Sequence, residues 1–427
     1  MPNVTSPIEE LRAQSDEAHG TSASLGSVLV LFVILLTVAG LRFADPLLSP
    51  VPLGDEEPYV LAMQRISSGQ DPYDGTFYFY PPALAVLGAE LLSATNETAT
   101  NEAVVLGILR LFNLCGLAAL VTVSLLLWHT TTIRRTVAGS LLILLSPAVD
   151  FGMDWGNLSF WVLGLTVPAL LIQQSRPWLA GALLSVGVAI KPLAAMAPVV
   201  FLVARWTTQK PWQNPRALGR ETGLAAMMLG IQVAALAVGA RYLESFLACS
   251  PGWPEHTRSV SVHRLLYLAD IHLDSLHIFV AVLVLTLIAT LWLIRPSAEH
   301  SLVNGMSIHY DRRLALAVVM SLAATPIVWS HTLLLGLPIQ IYALRLLGGR
   351  RPTLNAGAEK RRHIYEICFV CALILSTHFA EGTGGIDDRA PWIQWCVQIL
   401  PAAANLVLAL YVDRHLKLKK LISKTET

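Results

Sequence analysis

Charge is scarce in this chain. Of its 427 residues only 14% are Asp, Glu, Lys or Arg, against about 25% in a soluble domain. The formal net charge of +1 by itself argues neither for nor against nucleic acid, which is not expected as a partner. Cysteine is nearly missing too. Cys115, Cys249, Cys368, Cys371 and Cys396 make no metal-ligand spacing with histidine, so no metal site is expected. Cys368 and Cys371, one helical turn apart, read as small buried hydrophobes. No basic n-region precedes the first apolar run, near Leu25, which is therefore read as an uncleaved span and not as a signal peptide. A nucleotide-binding glycine loop is also lacking.

What is present is apolar: 54% of residues are hydrophobic and mean hydropathy is +0.57. The expectation is an all-α polytopic membrane protein of about twelve spans, since each crossing needs roughly 20 apolar residues or a tilted, shorter run. Residues 1–24 are polar and read as a disordered cytoplasmic leader. The transmembrane domain is placed at 25–412, with a first outer loop at 43–103 and a second at 241–275, and 413–427 form a basic cytoplasmic tail. Apolar runs predict spans at 25–41, 104–128, 137–148, 158–172, 179–190, 192–204 and 222–240, then five more between 276 and 412. Residues 83–92 are too few to cross and are placed with the first outer loop. Under this arrangement 22 Lys and Arg residues lie on the face carrying the termini and six on the other. The positive-inside rule then makes the termini cytoplasmic and turns both long polar loops outward.

The first outer loop holds the densest chemistry. Asp55, Glu56 and Glu57 follow the first span directly. Tyr59, Leu61, Ala62, Arg65 and Ile66 then recur at helical spacing and predict a short helix on the membrane surface. Pro72 and Asp74-Gly75 break it. Three adjacent acids read either as a hydrated loop or as a site, because a low-dielectric bilayer edge raises a carboxylate towards the range of a general base. Together they also offer oxygen ligands to a divalent cation, although the chemistry proposed for them needs none. Lys191, between two apolar runs, is either a snorkelling side chain or a functional cation, suited to the charge of a departing phosphate. In the second loop Trp253, His256, Arg258, His263 and Arg264 offer cations and an aromatic face to a sugar or lipid phosphate, or are solvated loop residues.

The pattern Asp55…Tyr59…Ala62…Gly69-x-Asp71-Pro72-Tyr73…Tyr80-Pro81-Pro82 resembles the first outer loop of the membrane-embedded GT-C glycosyltransferases. It is most similar to the polyprenyl-phosphate-mannose-dependent α-1,2-mannosyltransferases, glycosyltransferase family 87. Ser146-Pro147, Gly156-Asn157 (the family has Gly-Gln), Ala189-Ile190-Lys191-Pro192 and Thr325-Pro326-Ile327-Val328-Trp329-Ser330-His331 extend the likeness over residues 40–345. The family's histidine pair is here His331-Thr332, and Asp55-Glu56 is similar to the Asp-Glu motif of other GT-C branches.

The resemblance implies a GT-C-like bundle of transmembrane helices with amphipathic helices in the first outer loop. It implies an inverting transfer of a sugar, mannose first, from a polyprenyl-phosphate donor to a glycolipid or glycan acceptor on the outer face of a bacterial plasma membrane. Asp55 would be the general base. Glu56, Tyr59, Tyr80, Lys191, Arg258, Arg264, Trp329 and His331 would bind substrate, His331 being alternatively a core histidine bonded to backbone. A lipid-linked donor needs no nucleotide loop and no cofactor. The rival reading is a multi-span transporter or lipid flippase; such proteins commonly carry internal repeats, and no half-to-half similarity is visible here.

Overall fold

The computed structural model describes residues 25–76, 78–93, 98–128, 147–173, 175–192 and 195–248, single positions between 271 and 288, and residues 298–303 and 306–311. The helices are α1 (Leu25–Arg42), α2 (Ala44–Leu48), α3 (Glu56–Ser67), α4 (Pro82–Ser93), α5 (Thr98–Trp128), α6 (Pro147–Asp154), α7 (Ser159–Ile172), α8 (Pro177–Ile190), α9 (Met196–Gln209), α10 (Pro215–Val238) and α11 (Leu243–Ala248). One departure from the all-α expectation is an antiparallel hairpin, β1 (Ala298–Val303) with β2 (Met306–Asp311), pairing Ser301 with Ile308. Two described helices contain windows long and apolar enough to cross a membrane, Glu102–Ala119 within α5 and Pro215–Val238. The spans expected beyond residue 248 lie outside the described residues, apart from isolated helical positions from His277 to Ile288.

α5, α7, α8 and α10 pack in succession, with α3 and α4 closing one end. The α5–α7 crossing is made by small residues: a Cβ on Gly116 would overlap the Phe160 carbonyl, and one on Gly164 would lie 3.0 Å from the Gly116 Cα. Between apolar helices in lipid, such close backbone approach supplies the van der Waals contact that hydrophobicity alone does not. Apolar side chains stay exposed along α1 (Val30, Val33, Ile34, Val38) and α10 (Leu229, Val233, Leu236), as is consistent with a membrane-contacting surface.

α3 forms as its acids predict. Glu56 and Glu57 occupy the first turn and Arg65 the last, each complementing the helix dipole. Gly69, at φ +78, ends it in the left-handed conformation that glycine adopts without strain. Its buried face is displaced from the expected stripe: Glu56, Tyr59, Val60, Ala62 and Met63 turn inward while Leu61 is exposed. That face meets Tyr78, Ala85, Leu92, Val105, Leu106, Leu109, Leu158 and Trp161 in one core. The inner face of the helix is thus packed against α4, α5 and the start of α7, while Glu57 and Leu61 stay exposed on its other face.

Other boundaries also move. Residues 150–154, expected in a loop, complete α6. The basic stretch 205–221, which falls between the spans expected at 192–204 and 222–240, is mostly helix. α9 runs to Gln209, a 3-10 turn covers Pro211–Gln213, and α10 starts at Pro215 because the Asn214 side chain caps the Arg216 N–H at 3.0 Å and proline suits the first helical position.

Candidate active site

Three chain segments meet at the end of the bundle that α3 closes: the turn into α3, the break between α6 and α7, and the C-terminus of α8. The Asp55 N–H donates to the Trp155 carbonyl at 2.7 Å, which fastens the first two together. Gly156 makes the approach feasible. It sits at φ +66, and a Cβ there would run into the Glu56 carboxylate.

Asp55 precedes α3 at the position where a carboxylate ordinarily caps backbone N–H groups. Its side chain makes no cap bond. Instead Asp55 Oδ2 accepts from the Asn157 Nδ2. Asn157 Oδ1 accepts from the Ser159 N–H at 2.8 Å, the Ser159 hydroxyl at 2.5 Å and Lys191 Nζ at 3.1 Å. Lys191 also donates to Ser159 Oγ at 3.3 Å and places its ammonium 4.7 Å from the centre of the Tyr80 ring. The donor-only ammonium on Oδ1 obliges the Asn157 amide to present its N–H groups to the acceptor-only carboxylate. A cation, an amide and Asp55 therefore form one connected line.

The residue after Asp55 has a different fate. Glu56 is wholly buried and takes the Arg110 guanidinium through two bonds, Nε to Oε1 at 3.1 Å and Nη2 to Oε2 at 2.9 Å. The Leu53 N–H adds a third at 2.9 Å. Arg110 completes its fork on the Ser49 and Val51 carbonyls. This closed pair anchors the segment leading to Asp55. Glu57 is exposed, and no trio of His, Cys, Asp or Glu converges among the described residues.

Tyrosines roof the site. Tyr59 stacks on Tyr80 at 4.8 Å and 10°, and Tyr78 meets both edge-on at 5.4 and 5.8 Å. The Tyr73 hydroxyl bonds the Tyr80 carbonyl at 2.7 Å. Burial, and secondarily the Asp55 charge, pushes the Tyr80 hydroxyl above its ordinary range, so it stays a neutral donor. Tyr59 and Glu56 are fully enclosed and hold the site together from behind. Tyr80 is engaged through its ring and offers its hydroxyl edge. Arg258, Arg264, Trp329 and His331 lie outside the described residues. Sequence reasoning missed Asn157 and Ser159 as members of the site, although Asn157 already stood out as a departure from a Gly-Gln pattern.

Burial pushes the Asp55 carboxyl above the usual carboxylate value, while the Lys191 ammonium and the Asn157 hydrogen bond pull it down. To act as a base Asp55 must be ionised, and in that role activity is expected to fall as pH drops through this raised value. The stability contribution has the same proton linkage: the folded state binds the proton more tightly than the unfolded, so this group favours folding at low pH and that contribution is lost as pH rises above about 3.9. The expected result is an acidic limb in the pH–rate profile above the ordinary aspartate value, displaced upward when Lys191 is replaced by methionine.

A profile of glycosyltransferase family 87 matches residues 78–309, just over half of the chain. The chain belongs to glycosyltransferase family 87. No curated protein and no solved structure matches it. The family-87 match contains Tyr80, Asn157, Ser159 and Lys191 and begins after Asp55. As a glycosyltransferase the protein acts on a sugar donor and an acceptor.

Proposed function

We propose that this family-87 protein is a membrane-embedded inverting glycosyltransferase that uses a polyprenyl-phosphate sugar, with mannose the sugar implied by its motifs. The acceptor is a glycolipid or glycan hydroxyl at the outer face of the membrane. The observation that carries this reading is the placement of Asp55: half-buried, unused as a helix cap and aimed by the Asn157 amide. In the displacement the acceptor oxygen bonds to the anomeric carbon and gives its proton to Asp55. The carbon–oxygen bond to phosphate breaks, and polyprenyl phosphate leaves with the electron pair. A phosphate is a good leaving group, so one carboxylate suffices as base. Family membership favours this reading over a transporter.

Lys191 has a modified part in this scheme. Two of its N–H groups are given to Asn157 and Ser159, so its first task is to orient the Asn157 amide, with its remaining positive charge facing the departing phosphate. Purified protein given a radiolabelled polyprenyl-phosphate mannose and a mannoside acceptor tests the whole reading: an inverted product is expected, and no transfer from any polyprenyl-phosphate sugar would overturn it. Lys191→Met is expected to lower kcat with the donor KM little changed. A donor KM that rises with kcat preserved would instead make Lys191 a direct phosphate ligand.

A further inference from the structure

We propose that the opposite end of the bundle holds a binding site for the phosphate headgroup of an anionic phospholipid, built from Lys210, Arg216 and Arg220. Where α9 turns into α10 a cavity of about 500 Å³ opens, lined by Lys210, Gln213, Asn214, Arg216, Ala217 and Arg220. Its charge is unbalanced. The neighbouring acid, Glu221, is fully buried and already shared, taking Arg205 through two bonds of 2.7 Å and Arg220 through one of 3.0 Å. Among the described residues Lys210 and Arg216 have no acidic partner, so the cavity keeps positive charge that the protein does not neutralise.

The lining suits a phosphate diester. Guanidinium forks and an ammonium match phosphate oxygens, and the N-terminus of the 24-residue α10 adds its positive partial charge. Asn214 spends its side-chain oxygen Oδ1 on the Arg216 N–H, which leaves its side-chain NH₂ as a neutral donor. The surroundings select a lipid over a dissolved anion. Trp212 is 62% exposed and Leu218 40% exposed beside the cavity, and Leu229, Val233 and Leu236 continue an exposed apolar strip along α10. A tryptophan at the rim, cations in the pocket and apolar helix beyond are the arrangement of a headgroup seat with acyl chains along the helix. The site rests on the reading of α10 as a membrane helix but not on the chemistry at Asp55.

The test is native mass spectrometry of the full-length protein, delipidated in a neutral detergent and titrated with phosphatidylglycerol, phosphatidylcholine or inorganic phosphate. Wild type is expected to retain phosphatidylglycerol in preference to phosphatidylcholine, and Lys210→Gln with Arg216→Gln to weaken that binding by about thirty-fold, the effect of removing two surface cations. Should the double variant fold poorly, Lys210→Arg with Arg216→Lys keeps the charge and is expected to keep the binding. Equal retention of the two lipids, or unchanged phosphatidylglycerol binding in the neutral variant, would overturn the proposal. Displacement of phosphatidylglycerol by millimolar inorganic phosphate would also overturn it, marking a site for a soluble anion. None of these readouts requires glycosyl transfer, so their failure and a failure of the Asp55 reading are separate results.

Discussion

Asp55→Asn is expected to slow glycosyl transfer by about 10²- to 10⁴-fold, the usual cost of losing a general base, and to leave the melting temperature close to that of the parent. The two side chains have the same shape, and an asparagine oxygen still accepts from Asn157, so the loop geometry survives while the proton acceptor does not. No cap is lost either, because the Asp55 carboxylate makes no bond to the first turn of α3. Paired rate and melting measurements separate these effects. Transfer near the parental rate would remove Asp55 from the mechanism, and Glu56 would not replace it readily, since its oxygens are already bound by Arg110 and Leu53.

The Glu56–Arg110 pair carries the largest expected effect on stability. Glu56→Ala leaves a guanidinium 6% exposed without its counter-charge, and breaking a buried pair from one side typically costs about 3–5 kcal/mol. The two backbone carbonyls that remain on Arg110 moderate the loss but do not neutralise the charge. A clear fall in thermal midpoint is therefore expected, with transfer lost in proportion to folded protein. Replacing both partners, Glu56→Leu with Arg110→Met, should recover much of the midpoint, because no ion is then left uncompensated. A double variant no more stable than Glu56→Ala would show that the pair's bonds to the Ser49 and Val51 carbonyls matter more than its charge balance.

These contrasts explain what the sequence made legible. Asp55 and Lys191 stand out because ionised groups are costly beside apolar runs, so their presence alone is a signal. Asn157 and Ser159 carry no such signal: neutral polar residues occur in any loop, and only the fold shows that one amide joins the lysine to the aspartate. Glu56 looked like Asp55 because adjacent acids share composition, yet a helix turns neighbours about 100° apart, sending one into the core and the other towards the site. Its partner lies 54 positions away, a distance no local pattern reveals. The stretch from Arg205 to Glu221 was misread for the opposite reason. Its charges suggested a loop, while Asn214-Pro215, a helix-start signal, was the better guide.

The separations along the chain have a consequence for biosynthesis. Glu56 can find Arg110 once that residue has left the ribosome, but Asp55 must wait for Asn157, 102 positions later, and Asp71 for Ser245, 174 positions later. Chains emerge at about 5–20 residues per second, so several seconds separate the synthesis of Arg110 from that of the amide partner of Asp55. An order follows as an expectation: the segment anchored first by its ion pair, and the line from Asp55 to Lys191 completed only once α7 and α8 have been made.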